Sequence, residues 1–238
     1  MRSLNLVHDG ASSLQILCLG AHSDDIEIGC GGTILRLIQQ YPDSMLHWVV
    51  FSAIGTRAAE AQRGIELFGG KNAIRGSQFQ SFQDGFMPFV GAEVKKVFED
   101  LKRTVSPDLI FTHNSRDAHQ DHRLLSELTW NTFRDHLILE YEIPKYDGDM
   151  GQPNVFVPVD EDVCQRKIRY IVDTFQTQHT KRWFQESTFL ALMRLRGMEC
   201  NAPSGYAEAF FSRKIVLLET STSETVKASE APQVPSTR

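Results

Sequence analysis

The sequence predicts an α/β protein: a doubly wound, mostly parallel sheet with helices on both faces. Two observations predict it. Short apolar runs of strand length recur along the chain, and segments of helical periodicity separate them. The first run, Leu14-Gln-Ile-Leu-Cys-Leu-Gly20, ends in glycine and reads as a buried strand. Gly29, Gly31 and Gly32 read as a loop, and Thr33 to Gln40 as a helix that stops before Pro42. Leu46 to Ser52 is a second strand, and Arg57 to Phe68 a helix closed by Gly69-Gly70. A third strand falls within Asn72 to Phe82. Val90 to Val105 has Val94, Val97, Phe98 and Leu101 at helical spacing. Asp108 to His113 is the next strand, His122 to Arg134 a helix, and His136 to Tyr141 a strand.

The later third is less regular. Lys145 to Pro153 is a Gly/Asp/Pro-rich loop, Asn154 to Val159 a strand, and Asp160 to Phe175 a helix. Trp183 to Arg196 is a further helix, and Tyr206 to Leu218 returns to strand character. From Thr220 onward few apolar residues remain, so 220–238 reads as a disordered tail and 1–219 as a single domain. A chain of 238 residues buries enough surface to fold without a disulfide or metal staple.

Composition narrows the function classes. Lys+Arg 25 against Asp+Glu 30 gives a net charge of −5, which argues against a protein that coats nucleic acid. Cys18, Cys30, Cys164 and Cys200 form no CxxC pair and read as free thiols of a reducing compartment. The polar opening stretch and the short first apolar run give no secretory or membrane-spanning signal, so the expected location is the cytoplasm. Of the 8 histidines, His113, His119 and His122 fall close together.

The first strand leads into Gly20-Ala-His-Ser-Asp-Asp25. In open α/β sheets, ligands bind beyond the carboxyl ends of the strands, where the strand order reverses. A strand followed by glycines invites a nucleotide-binding oxidoreductase reading. Asp24 and Asp25 oppose it, because they stand where a pyrophosphate would sit, and no acidic residue ends the second strand to hold a ribose. A cation fits better. His22 and Asp25 offer an imidazole and a carboxylate from one loop, and His122, from the segment after the Asp108–His113 strand, completes a two-His, one-carboxylate set with a position open for water. Asp24 can take a proton from that water. His119, as imidazolium, can donate to an oxyanion or a leaving amine, with Asp121 or Asp117 holding it. Together these parts describe metal-assisted hydrolysis of an amide. Taken singly, each has a plainer reading as a loop, cap or solvated residue. His113 reads as the end of a strand, and His8, His47, His136 and His179 receive no role.

Ala21-His-Ser-Asp-Asp-Ile-Glu-Ile-Gly-Cys-Gly-Gly-Thr33 and His119-Gln-Asp-His122 resemble the paired motifs of the PIG-L (LmbE-like) zinc-dependent de-N-acetylases. The resemblance runs from the first strand to about Leu218 and implies a Rossmann-like fold. It implies zinc on His22, Asp25 and His122, Asp24 as general base, and His119 with Asp121 as oxyanion stabiliser and acid. Iron(II) also accepts this ligand set. The family's usual proline between His and Asp is Ser23 here, a change of loop stiffness more than of chemistry. The implied substrate is a small N-acetylated amino sugar or sugar conjugate. Arg57 falls where members carry polar residues that contact it, and reads equally as a solvated helix N-terminus.

Other features stay open at this level. Asp84-Gly85 reads as a turn. Tyr206 and Glu208 lie either at a pocket mouth or, respectively, in the core and in a pair or cap. Glu140, Glu142 and Lys145 to Asp149 form a rim or not. Trp183 and Phe184 read as core. The rival functions are hydrolysis of another amide or of a thiol-sugar conjugate, and a non-catalytic metal- or sugar-binding module. Neither a homo-oligomer nor a monomer is favoured.

Overall fold

The computed structural model describes residues 13–74 and 76–216. In chain order the elements are β1 (Gln15–His22), α1 (Asp25–Gln40), β2 (Met45–Ser52), α2 (Thr56–Phe68), the single turn α3 (Lys71–Ile74), β3 (Gln78–Phe79), α4 (Gly91–Thr104), β4 (Leu109–His113), α5 (Gln120–Thr132), β5 (Leu137–Tyr141), β6 (Val155–Val159), α6 (Glu161–Thr174), α7 (Glu186–Glu199) and β7 (Tyr206–Phe211). The strands form one sheet in the order β3-β2-β1-β4-β5-β7-β6. β1 is parallel to both β2 and β4, and β4 is parallel to β5. The strand order therefore reverses between β1 and β4, the switch point where such sheets bind ligands. β7 departs from the pattern: it runs antiparallel to β5 and to β6.

Alternation along the strands explains the two helical layers. Ile16 and Cys18 of β1 join a core with α1, α2, α6 and α7, whereas Leu17 and Leu19 join a second core with α4 and α5. Helices thus cover both faces. Among the described residues, no helix is long and apolar enough to cross a membrane. Cys18, Cys30, Cys164 and Cys200 are free and buried.

The sequence places a loop at Gly29 to Gly32, but these residues are helical, because α1 begins at Asp25 and not at Thr33. Glycine disfavours a helix interior by about 1 kcal/mol each, and packing overrides that cost here. A Cβ on Gly29 would lie 2.2 Å from the Tyr141 ring, and one on Gly31 would lie 2.5 Å from Phe68. The glycines let α1 lie directly on the residues beneath and beside it.

Glu208 takes the plainer of its two readings. It is buried, accepts the N–H groups of Gly32 (2.7 Å) and Thr33 (2.6 Å), and pairs with Lys167 Nζ at 2.6 Å. Lys167 also donates to the Ile28 carbonyl at 2.7 Å. A buried charge pair thus clamps the middle of α1 to α6 and β7. Glu142 is likewise buried in a pair, with Arg196, and Glu140 accepts from Ser115 and Trp130, so neither forms a rim. The helix expected from Trp183 starts at Glu186, and the last strand ends at Phe211. Leu217 and Leu218, and the tail expected over 220–238, lie outside the described residues.

Gly29→Ala should destabilise the fold by about 1–3 kcal/mol, since the Tyr141 ring has no room to retreat in a packed core. Urea unfolding should show a lower midpoint than the parent. An unchanged midpoint would refute the close approach of α1 to β5.

Candidate metal centre

β1 ends at His22, and a tight turn through Ser23 and Asp24 opens α1. Asp25 reaches back across that turn, and its Oδ2 accepts the His22 backbone N–H at 2.6 Å. Asp24 occupies the N-cap position of α1 yet makes no side-chain cap bond. An aspartate there ordinarily bonds to the first-turn N–H groups, so its carboxylate is left free for the cleft. On the neighbouring strand, β4 ends at His113. A turn closed by the Asp117 N–H to Asn114 carbonyl bond (3.0 Å) then leads into α5, whose N-cap is His119.

Because β1 and β4 are adjacent and parallel, the two loops emerge side by side. His22 Nδ1 lies 3.2 Å from His122 Nε2 and 3.3 Å from Asp25 Oδ2, and the third side, His122 Nε2 to Asp25 Oδ2, is 3.5 Å. Metal–ligand bonds of about 2.0–2.1 Å put the atoms of a tetrahedral set about 3.3 Å apart. The triangle has that size, and the donor set of two imidazoles and one carboxylate suits a borderline divalent cation. These residues fit a metal.

The protonation of His122 and Asp25 also fits, whereas burial lowers His22 but Asp25, Asp121 and Asp84 outweigh it and raise its pKa, so that ring sheds a proton when it binds a cation. His122 Nδ1 faces Asp117 Oδ2 at 2.9 Å, which assigns the ring proton to Nδ1 and leaves Nε2 as a lone pair toward the centre. Burial, with His113 stacked against it, pushes His122 down to about 3, so the ring is neutral. Burial raises Asp25, but His122, His113 and His22 outweigh it and hold this carboxyl well below the usual range. Burial and the neighbouring Asp25 push Asp24 up to about 6, against the pull of Arg57, His22 and Lys181.

His113 does more than end a strand. It is fully buried, its ring stacks on His122 with centroids 3.9 Å apart, and its Nε2 accepts the Ala21 N–H at 2.9 Å. That bond consumes the lone pair, so His113 supports the ligands instead of joining them. Its place at the end of β4, on the switch point, was the available signal for it.

The structure also reassigns the carboxylates that sequence spacing places on His119. Asp121 accepts the N–H groups of Gly85 (2.7 Å) and Met87 (3.2 Å), and its Oδ2 faces His22 Nε2 at 3.3 Å. Asp117 holds His122, the His119 backbone N–H (2.8 Å) and Lys145 Nζ (3.0 Å). Neither carboxylate bonds the His119 ring. Instead, His119 Nδ1 accepts the Asp121 N–H at 3.2 Å, which leaves the proton on Nε2. Burial, reinforced by His22, lowers the His119 pKa. The ring is therefore a neutral donor and not the imidazolium expected from sequence.

The centre opens into a cleft of about 260 Å³. Arg57 lines it, with Nη1 on Asp84 Oδ2 at 2.8 Å and Nη2 at 3.7 Å from Asp24 Oδ1. Asp84 is more than a turn residue, since its Oδ1 lies 3.0 Å from His22 Nε2. Gly85, at φ +80°, makes the turn that aims it there. The opposite wall carries Lys145, Tyr146, Lys181 and Trp183. Phe184 is core as expected, half-buried Trp183 both packs against that core and lines the cleft, and half-buried Tyr206 packs against the core without lining the cleft.

Residues 17–133 match the PIG-L family model, described as GlcNAc-PI de-N-acetylase. The matched PIG-L segment begins within β1 and ends just past α5, so it contains both loops of the centre. The chain is 28% identical over 164 residues to the uncharacterized deacetylase YaiS of Escherichia coli K12, covering 64% of this chain and 86% of that protein. Among solved structures, the N,N'-diacetylchitobiose deacetylase of Pyrococcus horikoshii has a TM-score of 0.60 at 19% identity, covering 83% of each chain. The 4-carboxy-2-hydroxymuconate hydratase GalB of Pseudomonas putida KT2440 has a TM-score of 0.69 at 18% identity, covering 87% of this chain and 99% of that one. These two likenesses establish the fold.

Asp117→Asn should weaken metal affinity by about 10–100-fold through loss of the His122 orientation, and His122→Ala should reduce bound metal further. Competition against a chromophoric chelator measures both. Parental affinity in either variant would contradict the ligand geometry.

Proposed function

We propose that this protein is a PIG-L hydrolase that removes the acetyl group from an N-acetylated amino sugar or sugar conjugate, with zinc held by His22, Asp25 and His122. The observation that carries this reading is the free carboxylate of Asp24, an uncapped N-cap residue beside a metal-sized triangle. A pure metal-binding module needs no such group. A bound zinc supplies Lewis-acid polarisation of the amide carbonyl and lowers the pKa of water.

The chain's own residues do the rest. Asp24 takes a proton from the attacking water, and its raised pKa suits a base that must later release that proton. Arg57 Nη2, 3.7 Å from Asp24 Oδ1, favours the ionised form that accepts the proton. His119 presents Nε2–H to the oxyanion as the carbonyl becomes tetrahedral. Because His119 starts neutral, the proton that reaches the leaving amine is the one Asp24 collected. Asp121 fixes His22 and the Gly85–Met87 segment, a positioning role in place of the acid role implied by resemblance. Acetate and a free amine leave. The deacetylases among the relatives and neighbours support the amide reading, and the neighbouring hydratase makes product identity the decisive assay.

Asp24→Asn should lower kcat for acetate release by about 10²–10⁴-fold while its metal content stays at the parental level. Acetate would be measured enzymatically across a panel of N-acetyl sugars, simple acyl amides and thiol-sugar conjugates. Turnover that survives Asp24→Asn would remove Asp24 as the base. A parent that cleaves only non-acetyl amides or thiol-sugar conjugates would replace the substrate class.

A further inference from the structure

We propose that the cleft selects an amino sugar bearing a singly charged acidic substituent, typified by a carboxylate, and that Lys181 is the residue that reads this charge. The substrate class so named rests on the deacetylase reading. Of the lysines and arginines, Arg57, Lys145 and Lys181 line the cleft. The first two are committed within the protein. Arg57 pairs with Asp84 at 2.8 Å and lies 3.7 Å from Asp24. Lys145 pairs with Asp149 at 2.5 Å and with Asp117 at 3.0 Å. Lys181 makes no ion pair and no hydrogen bond among the described residues. Its ammonium sits over the Trp183 ring, 5.6 Å from the centroid.

Lys181 is exposed, yet its place is set. Trp183 is the shelf beneath it, and that ring packs edge-on against Phe184 and Phe189 of the core, with centroids 5.6 Å and 6.4 Å away. The Tyr146 hydroxyl accepts the Arg182 N–H at 2.8 Å, which stitches the segment carrying Lys181 to the loop carrying Lys145. The Lys181 charge also reaches Asp24, where it favours the ionised form, so the ammonium faces the reacting end of the cleft. An ammonium has three donors, and its bonds to an ionised acceptor are about twice as strong as neutral ones. One uncommitted cation balances one negative charge. A phosphate monoester carries about −1.5 to −2, and its surplus would meet Asp147, which also lines the cleft and is 42% exposed.

The test uses the full chain loaded with zinc and two glycosides of N-acetylglucosamine that differ only in charge, the carboxymethyl glycoside and its carbamoylmethyl isostere. Acetate release gives KM for each. Calorimetric titration with the two deacetylated products gives Kd without turnover. The parent should favour the acid by about tenfold in both, the low end for a hydrogen bond to a charged group, and added salt should shrink that preference. Lys181→Met should bring the acid-to-amide ratio to about one, and Lys181→Arg should restore most of it. Lys181→Gln repeats the comparison should the methionine variant lose the parental circular dichroism. Equal values for acid and amide in the parent, no binding of either product, or a preference that survives Lys181→Met overturns the assignment. N-acetylglucosamine phosphate with a lower KM than the carboxymethyl glycoside overturns the single-charge count. A Lys181-dependent preference for the acid in calorimetry, with no acetate released from either glycoside, upholds the acid-reading role and counts against the deacetylase reading.

Discussion

Three atoms separated by up to 100 residues in sequence lie within 3.5 Å of each other because β1 and β4 are parallel neighbours. That adjacency is the constraint on which the rest depends. It puts the carboxyl ends of both strands at the point where strand order reverses, and the two helices that follow, α1 and α5, begin there together. Their N-terminal N–H dipoles point toward the centre and favour the carboxylates gathered around it. Repulsion among Asp24, Asp25, Asp84, Asp117 and Asp121 would otherwise disfavour such a cluster. Histidine rings, Arg57, Lys145 and backbone N–H groups absorb much of that charge, and a divalent cation would absorb more.

The remainder of the molecule keeps the two loops in place. α1 carries Asp25 at its first turn, so any rotation of that helix moves a candidate ligand. Gly29 and Gly31 let it seat against Tyr141 and Phe68, and the Lys167–Glu208 pair clamps its middle. A buried ion pair is weak evidence for stability in itself, yet loss of one partner leaves an uncompensated charge. Tyr141 links this packing to the site: its hydroxyl donates to the Leu19 carbonyl at 2.6 Å, and its ring lies against His113. Packing in the core and ligand geometry are therefore not separable in this fold.

Much of this was legible in the sequence. Apolar runs and their spacing located the strands, and the Asp24-Asp25 pair argued against a nucleotide site and for a cation. Directions of side chains were not legible. Asp117 and Asp121 flank His119 at short spacing, and spacing alone assigned one of them to its ring. The Asn114–Asp117 turn sends Asp117 to His122, and the first turn of α5 sends Asp121 toward His22. The glycine run was misread because local propensity disfavours helix there, while the partners that reward it, Tyr141 and Phe68, are distant in sequence. Asp84 escaped for the same reason, since nothing near it shows that Gly85 aims it at His22.

The central claim is that the two loops share one metal through His22, Asp25 and His122. X-ray absorption at the zinc edge, on protein loaded with one equivalent, tests it most directly. The account predicts imidazole scattering from two rings and nitrogen or oxygen neighbours at about 2.0–2.2 Å, with no sulfur. A sulfur shell at about 2.3 Å, or the absence of imidazole scattering, would contradict it.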